Sequence, residues 1–182
     1  MKLKEGILLI AKPQMTDPQF FKTVILLLHH NNQESIGLVL NQDTDLRLQD
    51  LIKIECQKKF PVYIGGPVHK NTLHYIHTKG EIIKNARHIT ENIYWGGDFN
   101  QVKDLIKNEI ITPNDIRFFA GYSGWGNNQL KSEIAEESWI MKEANTKLCM
   151  QYYKTHEVWK KQIKDIKEYA IWSNMPNNPN LN

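Results

Sequence analysis

The sequence predicts an α/β fold: one layered domain with a mixed, largely antiparallel sheet flanked by helices. Three observations carry this expectation. Short apolar runs alternate with clusters of Asn, Gly, Pro and Asp, as strands and turns require. Two of those runs, "TVILLLHH" (23–30) and "IGLVLN" (36–41), are separated only by "NNQES", which predicts a hairpin. At "GGDFNQVKDLI" (96–106) the apolar period changes from strand-like to helical.

Each element then follows in order. "GILLIA" (6–11) is a continuous apolar run, the pattern of a strand covered on both faces. Asp17 followed by Pro18 signals a helix start good for one turn. The β-branched start and short length of 23–30 favour a central strand. "DLRLQDLIKI" (45–54) places Leu48, Leu51 and Ile52 at helical spacing. "FPVYIGGPV" (60–68) predicts a strand stopped by Gly65-Gly66-Pro67, and "TLHYIHT" (72–78) and "ARHITENIYW" (86–95) predict one strand each. Asp98 caps a helix, Gln101 completes a variant capping box, and Val102, Leu105, Ile106 and Ile110 form the buried stripe. "DIRFFAGY" (115–122) returns to strand. Asn127 or Asn128 then caps a helix running through Trp139, with Leu130 and Ile134 on one face and Glu133, Glu136 and Glu137 mostly in solvent. A last helix over 155–172 carries Trp159, Ile163, Ile166 and Ala170 on one stripe and lysines on the other face. Residues 173–182 have the composition of a frayed tail.

Composition bounds the function classes. A chain of 182 residues with 41% apolar and 24% charged residues has room for one domain with a substantial core. The net charge of +3 neither demands nucleic acid nor excludes it, because a local basic patch matters more than a small total. Cys56 and Cys149 lie far apart with no CxxC spacing, and the apolar run near the start is too short for a signal-peptide core or membrane span. The expectation is a cytoplasmic protein with two reduced thiols and no membrane association.

The stretch "FFAGYSGWGNNQL" (118–130) invites three chemistries and satisfies none. A nucleophile elbow needs a small residue two places after its serine, and Ser123 is followed there by Trp125. A phosphate loop spanning Gly121 to Gly126 would need lysine and a hydroxyl where Asn127 and Asn128 stand. The dinucleotide fingerprint counted from Gly124 and Gly126 puts Gln129 where a small residue must pack. A glycine-rich turn feeding a helix still presents backbone N–H groups able to hold an anion. The alternative is structural: the glycines permit positive φ and let Trp125 fold onto the core.

Other candidates are weaker. His74 and His77 fall on opposite faces of a strand, and no Cys, Asp or Glu completes a metal set at a familiar spacing. His29 and His30 end an apolar strand, so one ring is expected buried and the other in solvent, closing the hairpin loop. Asn41 is expected to pair with loop backbone. Lys160, Lys161, Lys164 and Lys167 alternate with Glu157, Asp165 and Glu168, the pattern of a solvated face with i,i+4 pairs. Neither a helix-turn-helix nor an aromatic RNA-binding signature accompanies them.

Five blocks in order resemble the YqgE/AlgH family of bacterial proteins over nearly the whole chain. They are "GILLIAKPQMTDPQFFKTVILLLHH" with Asp17, Pro18, Phe20 and His30; "IGLVLN" with Gly37 and Asn41; "VYIGGPV" with Gly65 to Pro67; "LHYIHT" with His77; and "GYSGWGNNQLKSEI" with Gly121, Tyr122, Trp125, Gln129, Leu130 and Glu133. The resemblance implies a cytosolic α/β domain over residues 1–172 whose biochemical activity is not established. Some members are described as transcriptional regulators, chiefly of exopolysaccharide genes, without a recognisable DNA-binding motif. The family pattern accepts alanine where Ser123 stands. This chain departs from it at Asn128, where glycine is usual, and in "YWGGDF" (94–99).

The sequence therefore points to a binding or regulatory protein, with an enzyme or binding protein for an anionic small molecule as the alternative. The candidate ligand residues are His30, Asn41, Gly65, Gly66, Gly121, Tyr122, Ser123, Gly124, Trp125, Gly126 and Gln129, expected to approach one another around a single cleft. No catalytic group, metal or cofactor is expected. Nucleic acid is a possible partner without a motif to support it, and the oligomeric state is open.

Overall fold

The computed structural model describes residues 1–151 and 155–174. Its strands are β1 (Ile7–Ala11), β2 (Val24–His30), β3 (Ser35–Val39), β4 (Asp43–Arg47), β5 (Pro61–Ile64), β6 (Val68–His77), β7 (Arg87–Thr90), β8 (Ile93–Trp95), β9 (Ile116–Trp125) and β10 (Trp139–Glu143). The helices are α1 (Leu48–Leu51), α2 (Phe99–Lys107), α3 (Gln129–Ala135), α4 (Thr146–Met150) and α5 (Thr155–Lys164), followed by a 3₁₀ segment over Lys167–Asn174. The main sheet runs β10-β1-β2-β3-β9-β6-β8-β7, with β5 beside β9 and β4 beside β5. Every strand pair is antiparallel except β5–β9.

The sheet curls until its edge strand β7 returns to the segment just before β1. Gly6, just before β1, lies so close to β7 that a Cβ there would meet the Ile89 carbonyl at 2.8 Å. Arg87 of β7 pairs with Glu5 at 2.7 Å across the same seam. The curl divides the apolar residues into three clusters. Inside it, Leu8, Leu26, Leu38, Ile76 and Phe119 pack with Cys149 of α4 and Trp159 and Ile163 of α5. Outside, α2 covers Phe118, Tyr75 and Val62, while α3 and the segment before β2 cover Leu9, Ile25, Trp125 and Trp139. Both faces of β1 are thereby buried, as its unbroken apolar run requires.

Several boundaries differ from the sequence expectation. Asp17 starts tight turns instead of a helix: its carboxylate accepts the Gln19 N–H at 2.8 Å, and Phe20 N–H bonds to Asp17 O. Within 45–54 only Leu48–Leu51 is helical, because the preceding residues pair with β5 as β4. The run 86–95 is a hairpin, turning at Glu91, which takes a φ of 41°. Asp98 caps α2 by accepting from Asn100 and Gln101 N–H, but the Gln101 side chain does not close the box. It reaches Lys84 N–H and Ile82 O instead, tying the helix to the preceding loop. Ile110 lies beyond that helix and is exposed. The helix after Asn128 stops at Ala135, and Trp139 opens β10. Of the predicted tail, 175–182 lie outside the described residues.

Candidate functional site

The strand expected to end at Tyr122 runs on: β9 continues through Trp125, so the glycine-rich stretch is strand and not a strand-to-helix corner. Its glycines are explained by a chain crossing. The first half of β9 pairs with β5, Ile64 opposite Ala120. The chain then leaves β5, passes over β9 at Gly65-Gly66-Pro67, and returns on the other side as β6, where Val68 pairs with Tyr122. Beyond the crossing, β3 takes the vacated edge, with Ser123 opposite Gly37 and Trp125 opposite Ser35. Gly65 knits the junction: its N–H donates to Ala120 O, and its carbonyl accepts from Val39 N–H and, at 3.2 Å, the Ser123 hydroxyl.

There is no space at this crossing for side chains. A Cβ on Gly66 would stand 2.3 Å from the Tyr122 carbonyl group, and one on Gly65 2.2 Å from Gly121 O. Gly121 itself takes a φ of 69°, which favours glycine, and faces Val68 O and Gly66 O. Ser123 is wholly buried and spends its hydroxyl on Gly65. A cleft of about 140 Å³ opens nearby, lined by Gln19, Gln42, Ile64, Gly66, Pro67 and Lys70.

At the far end of β9, Trp125 is buried and stacks with Phe20, ring centroids 6.1 Å apart, while Trp139 meets both rings edge-on. Their two indole N–H groups converge on one oxygen of Glu133, at 2.9 and 2.8 Å. Gln129 donates to the other carboxylate oxygen and accepts the Gly126 N–H. Glu133 is thus the acceptor at the centre of a structural clamp, not a solvent-facing residue. The Gly126 amide that an anion might have used is already bonded.

The remaining candidates disperse. His30 Nδ1 lies 2.7 Å from the Ser35 hydroxyl, and Ser35 is also opposite Trp125, so these three share one end of the sheet. Burial, with lesser help from the Lys131 charge, lowers the His30 pKa and keeps the ring neutral at pH 7. His29 Nδ1 donates to Glu5 at 2.8 Å. Both rings are half-buried, because the β2–β3 register shifts between Leu27 and His29. Asn41 sits at the other end of β2–β3, where it accepts Val24 N–H at 2.7 Å and donates to Lys22 O at 2.8 Å. It closes the entry to β2, not the hairpin loop, so the predicted residues do not surround one cleft.

Sequence reasoning missed two features. Arg117, 1% exposed, donates to Leu40 O and Cys149 O at 2.7 Å each and lies 4.2 Å from the Tyr63 ring centre. It joins β3, β9 and α4 inside the curl. The second is a lysine groove. A cleft of about 170 Å³ between β10, α4 and α5 is lined by Lys142, Lys147, Lys161 and Gln162, with Glu143 and Asn145. A second, of about 460 Å³, carries Lys160, Lys161 and Lys164. Lys161 belongs to both, so the lysines of the two clefts are contiguous, with Lys142 also pairing with Asp165 at 3.8 Å. Gln162, 3% exposed, holds Lys142 Nζ at 2.8 Å, and Lys4 pairs with Glu143 at 3.2 Å. Lys142 and Lys147 shortly precede α5 but lie on a strand and a separate short helix, so the helical period of α5 gives no signal that places them beside Lys161.

A curled mixed sheet, plugged by helices, with Gly65, Gly66, Gly121, Trp125 and Trp139 taken up in packing, defines an α/β domain. The chain belongs to the AlgH-like family, whose family model matches residues 8–169. It is 38% identical to a UPF0301 protein of Chlorobium limicola over 183 aligned positions, covering 100% of this chain and 97% of that one. A UPF0301 protein of Chlorobaculum parvum is 35% identical, covering 99% and 96%. Among solved structures, the AlgH protein of Pseudomonas aeruginosa superposes with a TM-score of 0.66 at 26% identity, covering 83% of this chain and 85% of that one. A protein of Corynebacterium diphtheriae shares the fold, with a TM-score of 0.71 at 21% identity over 91% and 88%. The names of these relatives specify no function.

Proposed function

We propose that the protein is a cytoplasmic binding and regulatory module that engages a polyanionic partner, nucleic acid foremost, through the lysine groove, without covalent chemistry. The observation that carries this reading is the juxtaposition of Lys142, Lys147, Lys160, Lys161 and Lys164 along two clefts joined at Lys161. A strip of ammonium groups suits successive phosphates better than one small anion, because each contact releases condensed counterions. Regulation of transcription, as described for some family members, is one use of such a surface.

The test is a band-shift titration with duplex DNA and single-stranded RNA at two salt concentrations. Binding should weaken as salt rises, and K161E with K164E should reduce it by about tenfold or more, as expected when phosphate contacts are lost. No binding to either at low salt would remove the reading.

A further inference from the structure

The two ends of the curled sheet are finished differently. At the end bearing Ala11 and Leu40, the interior is filled: Trp159 of α5 donates its indole N–H to Ala11 O at 2.7 Å, and Arg117 bonds to Leu40 O and Cys149 O. At the opposite end the inward-facing side chains form a circuit. Residues opposite one another on an antiparallel ladder share a face, as do residues two apart. Ile76 belongs to the interior, so Trp95 opposite it faces inward, and Arg87 opposite Trp95 does too. His74, two residues from Ile76, joins them, its ring centre 6.4 Å from Trp95 and 5.5 Å from Tyr122. Gly124 follows Tyr122 on that face, opposite Ile36, and Ile36 is opposite His29. His29 bonds to Glu5, and Glu5 returns to Arg87 with both oxygens at 2.7 Å.

Three properties set this circuit apart from the packed aromatic rings elsewhere. Trp95, Tyr122 and His74 are each only half-buried, whereas Phe119 and Trp159, on the same inner face, are fully buried. The indoles of Trp125, Trp139 and Trp159 all donate to protein oxygens. By contrast, among the described residues neither the Trp95 N–H nor the Tyr122 hydroxyl meets a protein acceptor, and neither is a buried unpaired atom, so both are open to a ligand or to solvent. Finally, Gly124 contributes no side chain between Tyr122 and Ile36; a Cβ there would lie 3.2 Å from Tyr122 Cε2. Burial lowers the His74 pKa, so its ring is neutral at pH 7 and adds no charge to the aromatic surface.

We infer that Trp95, Tyr122 and His74 at the open end of the curled sheet form a binding site for an uncharged planar heteroaromatic group of the nucleobase kind. Stacking uses the aromatic faces, and acceptor atoms on the base edge satisfy the Trp95 N–H and Tyr122 hydroxyl. Such contacts tolerate different bases, because every base has a π-face. The group reaches the site either as a free nucleoside or as a base of a single strand.

The experiment is an NMR titration following the tryptophan indole N–H resonances, with that of Trp95 assigned through Trp95→Phe. The probes are guanosine, adenosine and a short single-stranded oligonucleotide. A shift confined to Trp95 on adding nucleoside supports the site with a free ligand. A Trp95 shift with the oligonucleotide alone supports it with a strand as the source. Gly124→Val, which displaces the Tyr122 ring while keeping an extended residue, should weaken the response about tenfold, in line with loss of one stacking contact. Because nucleosides are uncharged, K161E with K164E should leave their response unchanged, so failure here is separable from failure of the lysine groove. No Trp95 shift with any probe in the folded protein, or equal shifts at all the indoles, would overturn the assignment.

Discussion

Trp125 and Trp139 donate their indole N–H groups to the same oxygen of Glu133, at 2.9 and 2.8 Å, although they lie on different strands and only Glu133 is helical. This relationship fixes α3 between the end of β9 and the start of β10. Both indoles are buried, so removing the carboxylate takes away the acceptor on which their N–H groups converge. Glu133→Ala should cost on the order of 2–4 kcal/mol, the desolvation of two orphaned donors. Glu133→Gln keeps one acceptor oxygen and should cost about half as much. Urea denaturation midpoints of the three proteins check the order.

The crossing of Gly65-Gly66-Pro67 over β9 makes a contrast among glycines. Gly66→Ala would drive a Cβ to 2.3 Å from the backbone of Tyr122, and Gly121→Ala would combine a φ of 69° with contact at 2.7 Å. Neither neighbour is a flexible side chain that can move aside. Gly66→Ala should abolish a cooperative unfolding transition, and Gly121→Ala should destabilise by at least about 2 kcal/mol. Gly126→Ala faces open space and should stay within about 0.5 kcal/mol of the parent. Thermal unfolding by circular dichroism separates the cases.

That crossing also shows why the sequence could be read only partly. Local signals were sufficient for β1, the β2–β3 hairpin, β5 and the Asp98 cap, because each depends on neighbours in sequence. Because glycine taken alone is poor strand material, the sequence ends the strand at Tyr122 and reads the glycines around it as a corner. Here glycine is required by a strand that another segment crosses, a fact about residues 65–67. The same limit hid Glu133, whose partners lie eight residues before it and six after, beyond the helix that carries it. The β7–β8 hairpin was missed because its turn uses Glu91 at positive φ, not glycine or proline. Of the candidate site, the sequence reached residues but not their faces: Tyr122 and Gly124 point inward, Ser123 and Trp125 outward.

Arg117 ties α4 to the interior through Cys149 O, and burial pushes the adjacent Cys149 thiol up to about 12. In the native protein Cys149 should therefore be inert to a thiol reagent, while half-buried Cys56 reacts. Arg117→Met leaves two buried carbonyls without their donor and should destabilise by about 2–4 kcal/mol. If the arginine docks α4, the same substitution should accelerate Cys149 labelling under native conditions. Mass-resolved labelling by site measures this, and a labelling rate unchanged from the parent would count against that role.

His77 supplies a pH dependence whose sign follows from its contacts. The ring is fully buried; Nε2 donates to Gly96 O at 2.9 Å, and Nδ1 accepts from Lys79 N–H at 3.1 Å. Both nitrogens are therefore satisfied in the neutral tautomer, and a proton on Nδ1 would face another donor. Burial lowers the pKa, outweighing the Gly96 bond, which acts in the opposite direction. The unfolded chain takes up its proton near the ordinary value of about 6.5, before the folded protein does. Stability from this residue is thus complete above that value and declines as pH falls below it, until the folded-state pKa is reached. His74, also lowered by burial, contributes in the same direction. A loss of unfolding free energy between about pH 6.5 and 5 should therefore appear in the parent. His77→Gln, which cannot ionise, should lower stability at neutral pH and flatten that slope, and urea unfolding across this interval measures both effects.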